Sequence, residues 1–146
     1  LSYFFPNAAG NVPGASWGNW TATAGGGGWY LSAYDLAAFM AYLRFSDTIL
    51  SPAARTLMND RFFGYHDPAV STLYASFALG KFGVYRGHGG DLGVTPVGLP
   101  TKGMDACAMN FAYGTQAVVL INSVGGSYSY QCDVLQEAFD ASLVEK

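Results

Sequence analysis

Met104-Asp105-Ala106-Cys107-Ala108-Met109-Asn110-Phe111, Tyr113-Gly114-Thr115 and Gln116-Ala117-Val118-Val119-Leu120-Ile121-Asn122 together decide the fold. The first and last runs are rich in residues that suit a pleated, half-buried surface. The middle one is a turn. Two strands joined so briefly must be antiparallel. Val118, Val119, Leu120 and Ile121 form a continuous apolar run, which predicts burial on both faces of that strand.

Working outward, Tyr128 to Val144 reads as a helix. Tyr128, Cys132, Leu135, Phe139 and Leu143 share one stripe, with Asp133, Gln136, Glu137 and Asp140 largely opposite. That stripe should pack on the sheet. Upstream, Tyr74–Leu79 and Phe82–Tyr85 suit short strands around Gly80-Lys81. Ser32 to Arg44 reads as a helix, with Ser32 at the N-cap and Asp35 as its capping-box partner. Leu36, Phe39, Met40 and Leu43 should form its buried face. Ser51-Pro52 opens a shorter helix to about Asn59, with proline at the first helical position. The fold class expected is α+β: a mostly antiparallel sheet with helices packed on it. Residues 1–24 form a loop-rich lead-in, and residues 25–146 carry the periodic elements.

The chain has 146 residues, enough for one domain with a real core. Charged residues make up only 12%, against about 25% in ordinary domains. The deficit points to surface meant to be covered, by a partner or by further chain. Net charge is −3 with no Lys/Arg cluster, so nucleic-acid binding has no electrostatic footprint. No apolar run approaches a membrane span, and no signal peptide is visible. The opening Leu1-Ser2-Tyr3-Phe4-Phe5-Pro6 reads like the middle of a protein, so a fragment or processed product is expected. Exposed apolar surface on such a fragment would favour a homodimer or strand-swapped assembly.

Asn19-Trp20-Thr21 matches the glycosylation sequon, a common pattern that needs a secretory context. Gly25-Gly26-Gly27-Gly28 lacks the Gly-Lys-Ser/Thr of a phosphate loop, so it reads as a tight backbone approach. Two cysteines, Cys107 and Cys132, are too few for a disulfide scaffold or a Cys-rich metal site. His66 and His88 add no recognisable ligand spacing, so no metal and no cofactor are expected. Buried free thiols are the expectation. A Cys107–Cys132 disulfide is the alternative if the parent is exported.

The sharpest chemical signal is Gly87-His88-Gly89-Gly90. Histidine titrates near neutrality, and paired glycines let a ligand lie against the backbone. The competing reading is a surface histidine in a glycine-rich turn. No Ser-x-x-Lys occurs in the chain.

Several stretches resemble the serine β-lactamase and penicillin-binding protein superfamily. Ala24-Gly25-Gly26-Gly27-Gly28-Trp29-Tyr30-Leu31-Ser32-Ala33-Tyr34-Asp35-Leu36-Ala37-Ala38-Phe39 resembles its glycine-rich approach to a Ser-capped helix. Ile49-Leu50-Ser51-Pro52 is similar to the start of the helix that follows. Gly87-His88-Gly89-Gly90 resembles its third catalytic box, Lys-Thr-Gly in many members and His-x-Gly in others. The strand, turn, strand and terminal helix match the closing order. The resemblance runs from about Thr23 to the end, and order and spacing carry it more than any one motif.

It implies the C-terminal part of a β-lactamase/transpeptidase-like fold, from a serine hydrolase acting on an ester, amide or β-lactam through an acyl-enzyme. The first two boxes, Ser-x-x-Lys and Tyr-x-Asn or Ser-x-Asn, precede this region in the family. The chain alone is therefore expected to be inert, and its partner would be the N-terminal portion of the parent. The parent's substrate would be a small molecule or a peptidoglycan-like compound, and its location periplasmic or secreted. By the same resemblance, His88 would edge the site, Gly89 and Gly90 would leave room for the acyl group, and the Asp91 N–H would be an oxyanion-hole donor. The Asp91–Gly103 link is longer and richer in Gly and Pro than usual, which leaves a short third strand or a covering loop as options. Thr101-Lys102-Gly103 reads as a turn. An anionic Asp91 beside the box disfavours recognition of a β-lactam carboxylate. The alternative is a non-catalytic module that keeps the fold and binds or scaffolds.

Overall fold

A serine before each of the first three helices settles where they begin. Ser32 accepts the Asp35 N–H, and the Asp35 carboxylate returns to the Ser32 N–H, closing a capping box on α1 (Ala33–Phe45). Ser51 accepts from the Ala54 N–H to cap α2 (Pro52–Asp60), whose proline sits in the first turn. Ser71 accepts from the Leu73 N–H to cap α3 (Thr72–Ala78). The computed structural model describes residues 31–94, 102–125 and 130–143. The lead-in, the sequon, the glycine run, Tyr128, Thr101 and the middle of the Asp91–Gly103 link lie outside the described residues.

After α3 come β1 (Leu79–Gly80) and β2 (Gly83–Val84), an antiparallel pair closed by Lys81-Phe82. Then β3 (Arg86–Val94), β4 (Lys102–Asn110) and β5 (Gln116–Gly125) form an antiparallel sheet in that order. A short 3-10 turn, Ala112–Gly114, joins β4 to β5. The last element is α4 (Gln131–Ser142). The fold is α+β, with small antiparallel sheets and helices against them.

One face of the sheet carries the core. Cys107 and Met109 of β4 are buried there with Phe111, against Cys132 and Phe139 of α4, Phe77 and Ala78 of α3, and Tyr85. Phe111 and Phe139 stack at 4.4 Å, and Tyr85 meets both edge-on. Tyr85 also donates to Asp140 Oδ1 at 2.5 Å, tying the β1–β2 hairpin to α4. Gly80 must be glycine here, since a Cβ would sit 1.8 Å from the Tyr85 ring.

Several expectations need correction. Tyr74–Leu79 is mostly helix, not strand. Tyr74 and Phe77, three apart, both turn toward the core as one helical face, and Ser71 supplies the cap. Phe82–Tyr85 contributes a strand of two residues only. On α1 Met40 is buried and Leu36 and Leu43 are half-buried, but Phe39 is 46% exposed: α1 leans on β5 and β4, and nothing described covers Phe39. Val118, Val119 and Ile121 of β5 are half-buried and Leu120 is exposed, because the described residues do not cover both faces of that strand. Lys102-Gly103 opens β4 instead of forming a turn, and β3 is nine residues long, not short. The cysteines are not free thiols: Cys107 and Cys132 form a disulfide between β4 and α4. The buried stripe of α4 that puts Cys132 against the sheet puts it against Cys107.

Candidate functional site

Among the described residues β3 is an edge strand, paired with β4 on one side only. Its register with β4 is unbroken from Arg86↔Asn110 to Val94↔Lys102. In an antiparallel strand the backbone groups of alternate residues face the same side. Gly87 offers its carbonyl, and Gly89 its N–H, to His66 rather than to β4. Two residues on, the Asp91 N–H therefore faces the same free edge.

His66 holds this edge at two points. Its backbone N–H donates to the Gly87 carbonyl at 2.8 Å, and its Nε2 accepts from the Gly89 N–H at 3.0 Å. The Tyr130 hydroxyl lies 3.2 Å from the same Nε2. The His66 ring is stacked between Tyr74, with centroids 4.1 Å apart, and His88, at 4.6 Å. Burial lowers the His66 pKa, and the adjoining His88 ring pushes the same way. Burial and the nearby carboxylate of Asp105 push Tyr130 up to about 12. Both groups are therefore neutral near pH 7.

The glycines of the box do different work. A Cβ on Gly89 would stand 2.1 Å from the Tyr130 hydroxyl and 3.2 Å from Cys132 Sγ. Glycine at 89 thus lets Tyr130 and the disulfide close on the strand. A Cβ on Gly90 would meet nothing within 4 Å, so the space beside it is open. His88 and Asp91 are exposed.

Behind the edge lies Asp105 of β4, the register partner of Asp91. Asp105 is buried at 2% exposure, and neither carboxylate oxygen makes a hydrogen bond of normal geometry among the described residues. Burial raises its pKa; the backbone N–H groups of Ala106 and Gln131 oppose that, and the charge of Asp91 adds to it. No group of three or more His, Cys, Asp or Glu among the described residues is placed to hold a metal ion. Among the described residues no helix is long and apolar enough to cross a membrane.

His88, Gly89, Gly90 and Asp91 thus run consecutively along one free edge. Sequence reasoning missed His66, Tyr74 and Tyr130. The one available signal was that His66 is the chain's other histidine; its contact with Gly89 spans 23 residues and leaves no local pattern. Comparison with protein-family models, curated proteins and solved structures finds no match to this chain.

Proposed function

We propose that the chain is the C-terminal wall of a serine hydrolase site of the β-lactamase and penicillin-binding type. The observation that carries this reading is the Asp91 N–H on the free edge of β3, beside open space at Gly90 and one step beyond the His-Gly-Gly box. An acyl carbonyl laid along that edge would meet a preorganised backbone donor. One such donor is worth roughly 10²–10³ in rate when it meets the oxyanion. The second donor, the nucleophile's own N–H, and the Ser-x-x-Lys serine would come from outside these residues. His88 would supply a hydrogen bond near the leaving group or a substrate carboxylate. The chain alone is then inert.

A second reading is a binding or scaffold module. It is favoured by His66, which already occupies the edge at Gly87 and Gly89 where an extended substrate would pair.

The two readings separate on acylation. The 146-residue chain, incubated with a fluorescent penicillin and assayed on a p-nitrophenyl ester, should show neither labelling nor hydrolysis. Stoichiometric labelling of this chain would overturn its proposed inertness. The longer parent should be labelled on a serine outside residues 1–146, mapped by mass spectrometry. A parent that labels nowhere with either reagent favours the module.

A further inference from the structure

Three arginines from three elements converge on one cleft of about 240 Å³, between the end of α1, α2 and the start of β3. Two are partly committed to holding the fold. Arg55 of α2 donates to the carbonyls of Leu43, Ser46 and Leu50 and pairs with Asp47 at 2.6 Å. Arg44 of α1 donates to the carbonyls of Thr115 at 2.7 Å and Phe111 at 2.8 Å. Arg86 differs. Its Nε donates to the Asn59 carbonyl at 3.0 Å, and its guanidinium lies 5.4 Å from the Phe62 ring centre. Both terminal nitrogens, with four N–H groups, have no partner among the described residues. Beside it, the Tyr65 hydroxyl accepts from Asn110 Nδ2 at 3.0 Å, and its own hydrogen has no acceptor among the described residues.

Among the described residues no Asp or Glu lines the cleft. Asp47, which pairs with Arg55, is not part of its wall. Arg44, Arg55, Tyr65 and Arg86 are all half-buried, so the positive charge sits where water screens it poorly. Burial lowers the Arg44 pKa; the Tyr65 hydroxyl opposes that, and the Arg86 charge adds a smaller push in the lowering direction. Burying charge without a partner is unfavourable, and an anion relieves it.

We propose that this cleft is a binding site for a small oxyanion, a carboxylate or phosphate group held by the Arg86 fork and the Tyr65 hydroxyl, with Arg44 adding charge. The planar guanidinium presents parallel N–H groups that match two oxygens on one centre. The volume suits a small molecule or its anionic end, not a polymer. This inference stands apart from the hydrolase reading and survives its failure.

The test is isothermal titration of the 146-residue chain at ionic strength held constant with sodium chloride. Inorganic phosphate and succinate are the probes. One saturable site is expected for at least one of them, and the tighter probe identifies the anion class. Arg86→Gln should weaken it at least about tenfold, the loss expected from one charge-assisted hydrogen bond. Arg86→Lys, which keeps the charge and loses the fork, should weaken it less. Arg61→Gln, outside the cleft, should leave it unchanged. If Arg86→Gln fails to fold by circular dichroism, Arg86→Lys and Tyr65→Phe carry the comparison. No saturable heat with either probe, or binding that the folded cleft variants leave unmoved, overturns the proposal.

Discussion

His66 Nε2 accepts the Gly89 N–H at 3.0 Å, across 23 residues of chain. The acceptor role assigns the neutral ring's proton to Nδ1. Protonating Nε2 would set two donors against each other and break the bond. Burial lowers the folded pKa first and the His88 ring second. In the unfolded chain His66 titrates near the ordinary value of about 6.5. As pH falls below that value the unfolded chain binds the proton first, so stability drops with pH until the folded pKa is passed. Urea midpoints between pH 7.5 and 5 should decline accordingly. His66→Gln, which cannot titrate, should flatten the decline; an unchanged slope would contradict this account of His66.

Gly89→Ala drives a methyl into the Tyr130 hydroxyl and against Cys132 Sγ. Tyr130 must move, and the disulfide limits where α4 can go. A destabilisation of about 1–3 kcal/mol is expected, as for overpacking of a filled interior. Gly90→Ala, which meets open space, should be close to neutral. Thermal melts of the two variants side by side check the contrast.

Asp105→Asn should raise stability at neutral pH. The carboxylate is buried without a normal hydrogen bond, and burial lifts its pKa. A raised carboxylate pKa makes the site most favourable below the unfolded value of about 3.9, with that contribution lost as pH rises through the folded pKa. Removing the charge should raise the urea midpoint at pH 7, since the raised pKa means the buried charged form is the disfavoured one. The gain should shrink toward pH 4. A variant less stable than the parent at pH 7 would mean the charge has a stabilising partner.

Reduction should weaken the fold substantially. The Cys107–Cys132 bond closes a loop with a sequence separation of 25 and staples α4 to the middle strand. Loops of that length are worth about 3 kcal/mol in the chain-entropy view. Urea unfolding with and without dithiothreitol measures the difference, and alkylation under denaturing, non-reducing conditions should modify neither cysteine.

What the sequence made legible was local. The Ser32–Asp35 capping box, the Ser51-Pro52 start, the β4–β5 hairpin and the stripe of α4 are all set by residues within a few positions of one another. What failed was set at a distance. Tyr74 and Phe77 sit in an aromatic, β-favouring run, and the Ser71 cap with packing on α4 overrode that preference. The Val118–Ile121 run looked doubly buried because apolarity does not say what packs on each face of a strand. Of the site, the order His88 to Asp91 was visible, while the Arg44–Tyr65–Arg86 cleft has no signature in spacing.

The two contacts of His66 with Gly87 and Gly89 imitate half a rung of a neighbouring strand. A backbone N–H meets a carbonyl, and a ring nitrogen stands in for the carbonyl a real neighbour would offer. An incoming strand from another molecule must evict that ring before it can zip along β3. Bare edges invite such growth. A single histidine thus serves as a removable stopper on the sheet, and acid, which weakens its grip, would uncover the edge.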